Sequence, residues 1–328
     1  MTRVTVLALL LAALAVAVVL GAYWGTVSYS PATILGAVVH PHAQDDAAIV
    51  LWSLRFPRIA IGALVGAALA FGGTLLQDLL GNPIVDPYLT GASAGAALAI
   101  AVAIAVGAPP AAYSALALGA SLATTLVVAL LARTGSGLSV ERMIVAGVAL
   151  SSLFVGLTTL VILLTPSGPV SLNILAWLGG SIAGHGWSDL GWASLYAAIG
   201  ALLALTAVPA LNAMRLGARR AQALGVDIDR TRWIVIVAIC LLTSAAVSVS
   251  GIIGFVGMIV PHIARALVGH DVRWSIAAAI PIGALVVILA DAIARTAVPP
   301  TELPLGILLS ILGVPAFLYL MVTRPKAI

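Results

Sequence analysis

Charge is what this chain has least of. Asp, Glu, Lys and Arg make up 8% of its 328 residues, against about 25% in an average soluble domain. A soluble fold of this size could not cover its surface with so few charges. That scarcity excludes a soluble globular protein, a disordered chain and a nucleic-acid binder. Lysine is almost missing: Lys326 is the only one. A Walker A loop needs a lysine behind its glycines to hold nucleotide phosphates, and none precedes Lys326. Any ATP that powers this chain is therefore expected to bind on another chain. Cys240 is the single cysteine and lies inside an apolar run, which excludes an intrachain disulfide.

What fills the chain instead is hydrocarbon. Hydrophobic residues make up 62% of it, and a membrane-spanning helix needs about 20 of them. The composition leaves room for roughly ten spans and little else. Ten apolar runs occur: Val4 to Tyr23, Ile59 to Leu80, Ala92 to Gly107, Ala111 to Leu131, Met143 to Leu164, Leu190 to Ala210, Trp233 to Val249, a short one at Gly257 to Val268, Trp274 to Ala294, and Leu305 to Met321. The first is too long for the core of a signal peptide and lacks a small-residue cleavage site, so it reads as an uncleaved helix. The stretch Ser28 to Ser53 reads as a polar loop.

Ten spans put both termini on one side. Taking that side as the cytoplasm leaves Arg55, Arg58 and Arg295 outside and the other 12 of the 15 basic residues inside. The positive-inside rule favours this orientation, and it explains the formal charge of +4 without nucleic acid. Trp24, Trp52, Trp187, Trp192, Trp233 and Trp274 fall near span ends, where indole rings prefer to sit. Gly62 with Gly66, and Gly91 with Gly95, are spaced to let helices approach closely in lipid. Gly251, Gly254 and Gly257 imitate a phosphate loop, but no strand precedes them and a tight turn is the simpler reading.

The largest inside loop holds Arg215, Arg219, Arg220, Arg230 and Arg232. Ala218 to Leu224 reads as a short surface helix stopped at Gly225, with Asp227 capping a second short turn. This segment is either a topological anchor or a docking element for a soluble partner. The outside arginines either hold an acidic partner surface or snorkel to lipid phosphates. Asp291 stands one turn before Arg295, so a local ion pair is favoured over a proton relay. Asp78 reads as an interfacial carboxylate without a special role. His40 and His42 lie close in sequence, but no cysteine or carboxylate completes a metal set, and no catalytic motif occurs.

Seven segments then come together in order: LRFPRIAIGALVGAALAFGGTLLQ, NPIVDPYLTGASAGAAL, VAGVALSS, ALGVDIDRTR, SGIIGFVGMIVPHIARALVG, LADAIAR and ELPLGILLSILGVPAFLYL. From about Leu51 to Met321 this series resembles the permease subunit of type II ABC importers for iron complexes (siderophore, haem) and vitamin B12, the iron-complex/cobalamin permease family. The resemblance implies an all-α polytopic membrane protein, one transmembrane permease domain over residues 1–328 with ten transmembrane helices per subunit. It implies a homodimer in the bacterial inner (cytoplasmic) membrane, with both termini cytoplasmic. Two ATPase subunits would dock inside and a periplasmic substrate-binding protein outside; the chain itself would be no enzyme and carry no cofactor. By the same resemblance, Arg55, Arg58 and Arg295 meet the binding protein. Asn82, Ile84, Ser139 and Val140 form the cytoplasmic gate. The loop Leu216 to Arg232, within about 212–232, carries the coupling contact through Arg219, Arg220, Ala221, Leu224 and Gly225.

The function expected is ATP-driven import of a bulky metal chelate through a wide, mostly apolar and hydroxyl-lined cavity without a strong binding site. The alternative is a single-chain secondary transporter driven by an ion gradient, for which Asp291 is the only candidate acid in the spans.

Overall fold

A computed structural model describes residues 2–25, 29–41, 45–135, 137–165, 168–298 and 301–323. His42, Arg324 and Lys326 lie outside the described residues, as does the Val140 side chain. The chain folds into helices in this order: α1 (Arg3–Tyr23), α2 (Pro31–Val39), α3 (Asp46–Val50), α4 (Phe56–Leu80), α5 (Ala92–Ala105), α6 (Tyr113–Leu131), α7 (Val140–Leu164), α8 (Gly168–Leu178), α9 (Trp187–Met214), α10 (Ala218–Ala223), α11 (Ile228–Ser250), α12 (Val256–Val268), α13 (Val272–Thr296) and α14 (Leu305–Thr323). A π-helical turn, Leu51–Arg55, runs straight into α4. The strands Arg133–Thr134 and Gly137–Leu138 pair as a small hairpin between α6 and α7.

Seven of these stretches are long and apolar enough to cross a membrane among the described residues: α1, α3 through α4, α6, α7, α9, α11 and α13. The remaining three expected runs fold as the shorter α5, α12 and the Leu305–Tyr319 part of α14. Length alone therefore establishes seven spans and not the ten expected. The polar loop expected over 28–53 is also largely helical. Ser30 caps α2, accepting from the Thr33 N–H at 3.1 Å, and Pro31 occupies the first helical position. Both residues suit a helix start. The helix α8 was not expected at all; Pro169, Ser171 and Asn173 break its apolar pattern, and at 11 residues it is half a span.

The helices end where the local chemistry stops them. Ser139, Asp227 and Asp271 cap α7, α11 and α13 with side-chain oxygens on backbone N–H groups. Gly81 closes α4 at φ +59°, a conformation that costs other L-residues energy.

Helices α4, α11 and α13 form the centre. In their most apolar stretches 78%, 78% and 67% of residues are buried, against 17% in α1 and 11% in α7. Small residues let the central helices touch backbone to backbone. A Cβ added to Gly66 on α4 would stand inside the Gly283 carbonyl of α13, and one on Gly73 inside the Gly257 carbonyl of α12. Of the two expected glycine pairs, Gly62 and Gly66 share α4. Gly91 precedes α5 at φ +79°, so its first duty is backbone geometry, while Gly95 packs on Thr124 of α6. The triplet Gly251, Gly254, Gly257 spans a non-helical break between α11 and α12, with Gly251 at φ +64°.

Candidate functional site

Helices α5, α7 and α8 and the turn Pro87–Thr90 line an open cavity of about 830 Å³. Leu89, Ala97, Val155, Ile162 and Leu178 supply apolar wall; Ser93, Ser151, Ser152, Thr158 and Thr159 supply hydroxyls. Three of those hydroxyls are already spent. Ser152 donates to the Val148 carbonyl at 2.9 Å, Thr158 to Phe154 at 2.7 Å and Thr159 to Val155 at 2.9 Å. Such i−4 bonds leave little capacity to grip a ligand. Asp86 is the only acid among the lining residues. Burial pushes its carboxyl up to about 6, while the N–H groups of Tyr88 and Phe255, which donate to it, pull it down. The cavity is open, mostly apolar and hydroxyl-dotted, the character expected of the passage.

The expected gate residues lie in the turn after α4 and at the start of α7. Asn82 is exposed and accepts from the Ile84 N–H at 3.0 Å through its side chain, and Ile84 is exposed. Ser139 caps α7, accepting from the Arg142 N–H at 3.4 Å, and Val140 opens that helix. No hydrogen bond joins the two segments among the described residues. They belong to one packed unit through α7, because a Cβ on Gly147 would stand inside the Leu89 carbonyl.

The coupling segment forms as expected in its first half. Helix α10 is a six-residue helix, Leu224 caps it, and Gly225 follows at φ +83°. Arg219, Arg220 and Leu224 are exposed, with Leu224 at 67%, whereas Ala221 is fully buried. The second short helix does not exist as a separate element. Asp227 caps α11 itself, accepting from the Arg230 N–H at 3.0 Å.

At the opposite end of the bundle the three outside arginines are brought together but not left free. Arg55 is buried and donates to the Ala22 carbonyl at 2.7 Å, with its guanidinium 4.7 Å from the Tyr29 ring centre. Arg58 grips Asp291 through Nε and Nη2 at 2.9–3.1 Å and Glu302 at 2.8 Å. Arg295 is buried, pairs with Asp291 at 3.1 Å and donates to the Gly21 carbonyl at 3.2 Å. The local Asp291–Arg295 pair was legible in the sequence; the second partner, 233 residues away, was not. Two arginines on one buried carboxylate suit a structural acid better than a proton relay.

Asp78 corrects a sequence expectation. Its side chain is 6% exposed and paired with Arg215 at 3.3 Å and Arg265 at 4.0 Å. It is an interior carboxylate held by two cations and not a solvated interfacial one. Among the described residues no three His, Cys, Asp or Glu side chains are grouped to hold a metal ion.

An apolar helical bundle with an open, weakly gripping cavity and charge gathered at its two ends is the architecture of a membrane permease. Residues 11–323 match the FecCD transport family, and the chain belongs to it. It is 36% identical to the hemin transport system permease protein HmuU of Yersinia pestis over 289 residues, covering 86% of each chain. It is likewise 36% identical to the vitamin B12 import system permease protein BtuC of Vibrio cholerae, covering 83% of this chain and 82% of that one. The fold is similar to a solved inward-facing conformation of a metal-chelate type ABC transporter, with a TM-score of 0.83 and 29% identity over 97% of this chain and 99% of that one. Permeases of this family are not enzymes; ATP is hydrolysed on a separate subunit, and a substrate-binding partner completes the importer.

Proposed function

We propose that this chain conducts a bulky metal chelate, a ferric siderophore or haem, with cobalamin as the family's other cargo, from the outer face of the cytoplasmic membrane to the cytoplasm. The observation that carries the proposal is the cavity of about 830 Å³, with three of its hydroxyls, Ser152, Thr158 and Thr159, turned back onto their own helix. A large cargo handed over by a binding protein needs a passage that releases it, and a tight internal site would slow transport. The relatives' hemin and vitamin B12 names support the chelate class. The ten apolar helices support ten crossings, and the segregation of the arginines supports cytoplasmic termini. The family resemblance supports a homodimer with the passage on its two-fold axis, closed on the inside by Asn82, Ile84, Ser139 and Val140.

The test is reconstitution in liposomes with the partner ATPase and binding protein. The chain alone is expected to turn over no ATP and move no haemin; the complete complex is expected to accumulate haemin only with ATP. Haemin and cobalamin uptake by the chain alone, driven by a proton or sodium gradient, would instead establish the secondary-transporter reading.

Arg58, Arg55 and Arg295 are proposed to form the binding-protein dock, and their unequal exposure divides the work. Arg58 and Glu302 form the outermost layer, with side chains 14% and 38% exposed. Arg55 and Arg295 brace it from below through the carbonyls at the end of α1. Glu302 then competes with the partner's acid for Arg58. Arg58→Gln is expected to weaken binding-protein affinity and Glu302→Gln to strengthen it, each by the 0.2–1 kcal/mol or so of a rim pair. Both effects should shrink at high salt. Measurement in nanodiscs decides it: a weakening by both variants would assign the arginines to the fold alone.

A further inference from the structure

The coupling segment and the gate are joined at two places, and both joints are arginines. Arg215 ends α9 three residues before α10 begins. Its Nη1 donates to Asp78 Oδ1 at 3.3 Å and to the His270 carbonyl. Asp78 sits in the last turn of α4, four residues before Asn82. At the far end of the segment Arg232 donates to the Leu138 carbonyl at 3.1 Å. Leu138 immediately precedes Ser139. The segment that should meet the ATPase is therefore tied at its start to the end of α4, which leads into one gate segment, and at its end to the residue that precedes the other.

Behind the first joint lies a relay. Arg265 of α12 stands 4.0 Å from the same Asp78 oxygen, and its Nη2 donates to Gln77 Oε1. Gln77 in turn donates through Nε2 to the Val85 carbonyl at 3.2 Å and the Met258 carbonyl at 3.0 Å. Val85 follows Ile84 in the gate segment. Asp78, Arg215, Arg232 and Arg265 all border one cavity of about 580 Å³, which also reaches Gly81–Pro83 and Gly217–Ala218. Ion pairs beside an open cavity can shift without overpacking a core, unlike the close-packed interior around them. Removing one member would leave a buried charge unpaired, so the network favours moving as a unit.

We propose that the Arg215–Asp78 and Arg232–Leu138 contacts are clamps that carry the position of the coupling segment to the two cytoplasmic gate segments, with Asp78, at the end of α4, as the positioning residue for the first. This rests on the permease reading for the identity of the gate and the coupling segment. The clamps themselves are a property of this chain and can be tested without any partner.

The experiment uses pairs of spin labels on the full chain in nanodiscs, with Cys240 replaced by alanine. One pair joins exposed Gln222 on α10 to Pro83 on the first gate segment; the other joins Gln222 to Glu141 at the start of α7. With the doubly labelled chain diluted in unlabelled chain, so that a dimer carries one labelled pair, the native clamps should give a single narrow distance peak for each pair. Asp78→Asn should split or broaden the Gln222–Pro83 peak and leave the Gln222–Glu141 peak intact. Arg232→Gln should do the reverse. Arg215→Gln attacks the first clamp from its more exposed side and should match Asp78→Asn; it also decides the matter if the buried substitution prevents folding. The Asp78→Asn/Arg215→Gln double variant should add nothing, since one interaction is removed only once.

With the ATPase present, Mg-ATP should move both gate labels in the native chain. The Asp78 variant should lose the Pro83 shift, and cargo moved per ATP should fall by about tenfold, within the ordinary range of coupling between two sites. Unchanged peaks in the chain alone would overturn the clamps and leave the permease reading standing. Failure of the ATPase to bind the native chain would overturn that reading while the chain-alone result still judged the clamps.

Discussion

Replacing Leu224 with aspartate is expected to detach the ATPase while leaving the membrane fold intact. Leu224 is 67% exposed at the end of α10 and caps it only through its backbone. An apolar side chain that large, held out at a helix end by a left-handed Gly225, contributes almost nothing to the isolated chain. In the proposed coupling contact its burial comes from the partner ATPase. Placing a carboxylate in that contact leaves a charge without a mate, at a cost of about 1–3 kcal/mol or more, or roughly a 5- to 150-fold loss of affinity. Thermal unfolding of the purified variant should match the native chain, and Leu224→Met should restore assembly. Normal assembly with hydrolysis still coupled to uptake would reduce the segment to a topological anchor.

Gly283→Val is expected to have the opposite signature: loss of the fold before any question of partners arises. Gly283 and Gly66 face each other where α13 crosses α4, and a Cβ on either would stand inside the other's carbonyl. The clash is with backbone at the centre of the bundle, so no side chain can swing away to relieve it. The helices must separate along their length and lose the packing that holds them together in lipid. A destabilisation at or above about 3 kcal/mol, the upper part of the range for overpacking, is expected. Gly119→Val on α6 is the control, because nothing lies within 4 Å of that position. Monodispersity in detergent and the unfolding midpoint read the result. A native-like Gly283→Val would mean that the α4–α13 crossing is not the close contact described.

Much of the chain's small stock of charge sits in pairs. Asp291 serves Arg58 and Arg295, and Asp78 serves Arg215 and Arg265. A lone charge would be costly at these positions; two cations on one carboxylate offset that cost. Each cluster also ties helices that are distant in sequence, one at each end of the bundle. The charges therefore do local structural work and bear on function through the elements they join.

Much of this was determined by the sequence alone. Scarce charge and abundant hydrocarbon require a membrane solvent. The spacing of apolar runs places the helices, because each must satisfy its backbone within itself. The distribution of arginines divides the two ends, and Gly225 marks the end of α10 through a backbone preference that acts within a few residues, whereas Asp227 was legible as a cap but not as the start of α11. The family motifs, read in order, named the gate and coupling segments.

Only the tertiary structure decided which distant groups meet. Arg58 reaches Asp291 across 233 residues and Arg215 reaches Asp78 across 137. Nothing in the local pattern distinguishes those arginines from solvated or lipid-facing ones. It also decided which faces of α5, α7 and α8 line the passage, since helices made of Ala, Leu, Val and Gly have no polar stripe to orient them. In lipid a helix face is chosen by its fit to a neighbour and not by its hydrophobicity, so that information exists only once the helices are packed.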